Sequence, residues 1–166
     1  WNSNQPREVW LTGEAYFSVV HTQTNQRFQV HTSDDFNVEV LGTQFNVVSR
    51  ASGTQVVLAS GKVRLNMPNA GRTGKQVVMS PGDLIQFAEE PTAFLHKKVD
   101  PAMYTAWKNK QLILDHTSLR QIVSMLEDTY GLQVEVADTS LLSRQISGML
   151  STERTDLLIN GLASVY

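Results

Sequence analysis

The feature that most restricts what this chain can fold into is a change of hydrophobic period part-way along it. From Val9 to Val19 every second residue, Val9, Leu11, Gly13, Ala15, Phe17 and Val19, is apolar or small, while Thr12 and Glu14 turn the other way. A period of two is that of a strand with one buried face. The same alternation returns at Phe28 and Val30; Phe36, Val38 and Val40; Phe45 and Val47; Val56 and Leu58; Val63, Leu65 and Met67; and around Leu84 to Phe87. Turn-forming residues separate these runs at Thr24 to Gln26, Ser33 to Asp35, Ser52 to Gly53, Asn69 to Gly74 and Pro81 to Asp83. Short strands at such spacing predict a mainly β unit: a sandwich, a roll or a solenoid. Pro81-Gly82 predicts a type II turn, because proline presets φ at the first central position and glycine accepts positive φ at the second.

Beyond about Lys98 the spacing becomes helical, and Asp100-Pro101-Ala102 marks the expected junction. The expected domains are a β domain at 1–99 and a small α+β domain at 100–166. Within the second, Leu112 to Leu114 predicts a short strand. Leu119, Ile122, Val123, Leu126 and Tyr130 form one apolar helical stripe. Ser118 and Gln121 have capping-box spacing, with Thr117 a rival cap, and Gly131 stands where a left-handed residue ends a helix. Leu132 to Val136 and Gln145 to Leu150 predict strands, and Asp156 to Val165 a second helix, in the order β-α-β-β-α. A sheet of two or three strands is marginal alone, so a further strand or hairpin is expected after Tyr166.

Composition narrows the partners. A net charge of -2 with 14 basic and 16 acidic residues gives no footprint for phosphate neutralisation, so nucleic acid is not an expected partner. Apolar runs such as Val77 to Met79 and Leu157 to Ile159 fall far short of the ~20 residues a membrane span needs. No signal-peptide pattern opens the sequence, so Trp1 reads as an internal residue of a longer protein. The absence of cysteine excludes disulfides and thiol chemistry.

Four motifs stand in order along the chain: Gly13-Glu14-Ala15-Tyr16-Phe17-Ser18-Val19, Val40-Leu41-Gly42-Thr43-Gln44-Phe45-Asn46-Val47, Ser60-Gly61-Lys62-Val63 and Ser80-Pro81-Gly82-Asp83. In order and spacing they resemble the FecR family. Ala106 to Leu112, followed by the helix that ends at Tyr130-Gly131, resembles the C-terminal domain of FecR regulators of the Bacteroidetes type. That domain is similar to the short N-terminal domain of secretins and TonB-dependent receptors. The resemblance implies a single-pass inner-membrane anti-sigma factor of which this is the periplasmic portion, short at both ends. Its implied partner is the periplasmic signalling domain of a TonB-dependent receptor. A sigma factor would be touched only through an absent cytoplasmic segment, and the membrane only through an absent upstream span. No cofactor is implied.

Each motif residue also has a packing role open to it. Gly13 and Gly42 permit a bulge or close backbone approach. Tyr16 and Phe17 face opposite sides, and Phe17 is expected inside. The expected mode of partner recognition is strand addition to an open sheet edge, with Leu132, Val134 and Val136 one candidate and Gln145, Ser147 and Met149 the other. Two further readings are a carbohydrate-binding or scaffold β module, against which Trp1, Trp10 and Trp107 are scattered, and self-cleavage. For the latter, the Thr43 hydroxyl would attack the Gly42 carbonyl in an N-to-O acyl shift.

Other chemistry finds little support. His21, His31, His96 and His116 have no metal-ligand spacing, so no metal site is expected. Asp34-Asp35 and Glu89-Glu90 read as solvated turn carboxylates. Gly71 to Lys75 lacks the glycine and hydroxyl of a phosphate loop, and no Gly-x-Ser-x-Gly elbow exists. No catalytic residue is expected beyond the self-cleavage pair, Gly42 and Thr43.

Overall fold

The structure is a computed structural model, and it describes residues 5, 7–32, 36–50, 53–67, 75–87 and 94–164. Trp1, Asp34-Asp35, Glu89-Glu90 and the turns expected at 33–35, 52 and 69–74 lie outside the described residues. The chain divides into two compact units, Trp1–Thr105 and Ala106–Tyr166.

Among the described residues the first unit holds ten strands: β1 (Arg7–Trp10), β2 (Gly13–Val19), β3 (Phe28–His31), β4 (Asn37–Val40), β5 (Thr43–Arg50), β6 (Gly53–Ser60), β7 (Val63–Met67), β8 (Lys75–Met79), β9 (Asp83–Phe87) and β10 (Phe94–Lys98). They form two five-stranded sheets in the orders β1-β3-β4-β7-β8 and β10-β9-β6-β5-β2. Alternation places one side of each sheet in a shared cluster. Val30, Val38, Val40, Val63, Leu65 and Met79 come from the first sheet; Phe45, Val47, Val56, Leu58, Ile85 and Phe87 come from the second. The architecture is therefore a sandwich. A short helix, α1 (Pro101–Thr105), ends the unit.

The run from Val9 to Val19 is two strands. β1 pairs in parallel with β3 in one sheet, whereas β2 pairs antiparallel with β5 in the other. Gly13, at φ 101°, opens β2 in a conformation other residues rarely adopt, so the chain changes sheets without interrupting its alternation. Phe17 points inward and stacks on Phe45, its cross-strand partner, with ring centroids 5.1 Å apart. Tyr16 points outward, and its hydroxyl donates to Gln44 Oε1 at 3.0 Å.

The second unit begins with a 3-10 turn (Ala106–Asn109) and contains β11 (Gln111–Ser118), α2 (Leu119–Tyr130), a 3-10 turn (Thr139–Ser143), β12 (Gln145–Ser151) and α3 (Thr155–Ala163). Around α2 the expected signals meet. The Ser118 side chain accepts from the Gln121 N–H, the Gln121 side chain caps the Ser118 N–H, and Gly131 at φ 65° donates to Glu127 O. Leu114, Ile122, Leu126, Leu158 and Leu162 form its core cluster.

Two strand expectations change here. β11 runs on past Leu114 to Ser118 through a bulge in which His116 takes φ 46°. Residues 132–136 belong to no strand. Leu132 and Val134 pack on the core cluster while Gln133 and Glu135 are exposed, so the alternation reports one buried side without a ladder partner. The observed order is β-α-β-α.

Candidate functional site

The motifs of the β domain meet at its turns. Thr43 opens β5 next to the β6–β7 turn, and its buried hydroxyl donates to Lys62 O at 2.8 Å. Gly61, at φ 88°, lies so close that a Cβ there would stand 2.6 Å from Gly42 O and 2.9 Å from Thr43 Oγ1. A Cβ at Gly42 would stand 2.6 Å from His21 Cβ. Leu41-Gly42-Thr43 and Ser60-Gly61-Lys62 are thus two interlocked turns that only glycine allows to approach. On the outer side of β2 and β5, Asn46 donates to Glu14 Oε1 at 2.9 Å, and Arg50 lies 3.6 Å from Glu14. For acyl shift chemistry, the Thr43 proton points at Lys62 O, a neutral carbonyl too weakly basic to take it. The His21 imidazole is turned to Asn25 Oδ1 at 2.8 Å.

Pro81-Gly82 forms the expected turn, closed by the Asp83 N–H on Ser80 O, with Gly82 at φ 83°. The Asp83 carboxylate is buried. It accepts from Ser80 N at 2.7 Å and from Lys98 Nζ at 2.8 Å, and His96 Nε2 lies 3.2 Å away, so it ties β9 to β10. Burial pushes its pKa up, but Lys98, the Ser80 N–H and His96 together outweigh that and hold it at about 2. A carboxyl held at about 2 against 3.8 when free is stabilising above the higher value. The contribution is at most about 2 kcal/mol, less the screening of the exposed Lys98 amine, and is lost as pH falls from the higher value through the lower. Asp83→Asn should therefore lower unfolding stability at neutral pH by about 1–2 kcal/mol. Denaturant titrations at pH 7 and pH 3 should show that difference shrinking on acidification.

The second unit supplies the open strand. β11 and β12 form a two-stranded sheet, and among the described residues β12 has no partner on its other edge. Ile146 and Leu150 face the core cluster. Gln145, Ser147 and Met149 face outward, and Met149 is 62% exposed. Ser147 Oγ accepts from the His116 N–H at 2.8 Å, which fastens the bulge of β11 to β12. Met149 also borders a cavity of about 280 Å³ with Asn109, Lys110, Gln111, Ser151 and Glu153, across which Lys110 and Glu153 pair at 3.5 Å. Of the two candidate edges, Gln145, Ser147 and Met149 lie on a strand and Leu132, Val134 and Val136 do not. Among the described residues no acidic and histidine side chains group as metal ligands, and no helix is long and apolar enough to cross a membrane.

Against this geometry, the family described as FecR protein matches residues 2–64, and that described as FecR, C-terminal matches residues 111–166. The chain belongs to the FecR family. The first FecR segment takes in the motifs of β2 and the β4–β5 turn; the second starts where β11 starts. Two crystal structures of a candidate anti-sigma factor from Parabacteroides distasonis have the same fold. One is 23% identical with a TM-score of 0.77, over 99% of this chain and 76% of that one. The other is 25% identical with a TM-score of 0.74, over 98% and 74%. No curated protein matches the sequence.

Proposed function

We propose that this FecR chain is the periplasmic signal-relay region of a membrane-anchored anti-sigma factor, regulatory and not enzymatic. In this reading it binds the signalling domain of a TonB-dependent receptor and so regulates an extracytoplasmic-function sigma factor through segments outside these residues. Family membership and the anti-sigma neighbours support the relay role. The observation that carries the mode of binding is β12, a strand that has an unpaired edge among the described residues and whose apolar side already belongs to a core. Such an edge offers main-chain donors and acceptors to an incoming strand, while Gln145, Ser147 and Met149 read its side chains.

The test is a binding titration with the signalling domain of a receptor encoded beside this protein's gene. Met149→Lys puts a charge on the edge without touching the core and should weaken binding by about tenfold or more. Leu95→Lys, at a comparably exposed site on β10, should leave it unchanged. Absence of binding at high concentration, or equal loss from both variants, would defeat the proposal.

A further inference from the structure

The outward side of the first sheet carries a basic cavity that the edge-binding reading does not use. Glu39 on β4 stands opposite Arg64 on β7, and Arg27 lies just ahead of β3. Glu39 Oε1 accepts from Arg64 Nη1 at 2.7 Å, and Oε2 accepts from Arg27 Nη1 at 3.1 Å and from Gln29 Nε2 at 3.5 Å. The Glu39 side chain is 11% exposed, whereas both guanidinium groups reach solvent. One sunken carboxylate thus holds two forks in place, and each fork commits a single nitrogen to it. Among the described residues neither arginine has a second carboxylate partner.

With Lys62 these groups line a cavity of about 270 Å³. Three cations against one anion leave a surplus of two positive charges there. The Lys62 amine has no ion pair among the described residues. Leu41, 42% exposed, and Val78, 59% exposed, add apolar wall.

We propose that this cavity binds an acidic segment of a partner protein, which presents Asp or Glu carboxylates to Arg27, Lys62 and Arg64 and an apolar side chain to Leu41 and Val78. Charge complementarity selects the carboxylate, and arginine forks already pinned by Glu39 lose little freedom when a second carboxylate arrives. A membrane surface fits less well. Anionic lipid recruits clusters of about four to eight basic residues, and the chain as a whole carries -2. The walls are also concave, which suits a side chain more than a flat headgroup layer.

The probe is a peptide of about ten residues alternating Glu and Leu, compared with the same peptide carrying Gln for Glu. Isothermal titration should show the Glu peptide binding about tenfold tighter or more, with affinity falling as salt rises. Lys62→Glu changes only an exposed amine and should weaken binding about tenfold, and Arg64→Gln should do the same. If Arg64→Gln perturbs the fold by freeing Glu39, Lys62→Glu still decides. Met149→Lys should leave peptide binding intact, so failure here and failure of the β12 proposal remain distinguishable. Equal affinity for both peptides, insensitivity to Lys62→Glu, loss on Met149→Lys, or binding to phosphatidylglycerol vesicles without binding to the peptide would each overturn the assignment.

Discussion

Gly61→Val should destabilise the β sandwich by about 4 kcal/mol, a fall in melting temperature on the order of 20 °C. Two costs combine. At φ 88° any side chain is strained, by about 1–3 kcal/mol. The new Cβ would also stand 2.6 Å from Gly42 O and 3.1 Å from Thr43 Cα, both backbone atoms that cannot swing aside. Relief requires the two turns to separate, and that breaks the Thr43 to Lys62 bond, worth about a further 1 kcal/mol. Gly13→Ala isolates the first cost, because Gly13 also has positive φ but no heavy atom within 4 Å of its would-be Cβ. Urea denaturation of both variants should therefore give Gly61→Val a loss at least twice that of Gly13→Ala. Equal losses would mean that the turns yield easily and that the motif glycines serve conformation alone.

What could be read from the chain follows from the range of each interaction. Local rules reached α2 with its capping box, the Pro81-Gly82 turn, and the inward Phe17 beside the outward Tyr16. All of these are set by residues within a few positions. Pairing order was beyond reach. The joining of β4 to β7 and of β6 to β9 depends on burial summed over both sheets, so the meeting of Glu39 with Arg27 and Arg64 leaves no trace in spacing. Asp83 likewise ends the Ser80-Pro81-Gly82-Asp83 motif, but its partners Lys98 and His96 come from β10, an edge strand whose exposed residues lack alternation. The strand expected at 132–136 failed for the converse reason. Alternation shows that one side is buried, and Leu132 and Val134 achieve that against the core cluster with no ladder at all.

Ile122→Ala should cost the second unit much of its stability, because Ile122 is fully buried in that unit's core cluster. Among the described residues its cluster has five buried members, Leu114, Ile122, Leu126, Leu158 and Leu162, with Ile122 the most enclosed of them, and its sheet has two strands. Removing a fully buried isoleucine side chain costs about 2–5 kcal/mol. Amide exchange at α2, β12 and α3 should rise toward the unprotected rate, where Val123→Ala, at a half-buried position of the same helix, leaves most protection in place. The edge-addition proposal also has a thermodynamic signature. A strand that pairs with β12 binds only the folded unit, so it should restore protection to Ile122→Ala by RT ln(1 + [L]/Kd), about 2.7 kcal/mol at a hundredfold excess over Kd. Rescue by the receptor signalling domain, and its loss when Met149→Lys is added, would place the partner on the edge of β12. Binding with no recovery of protection would place the partner away from β12.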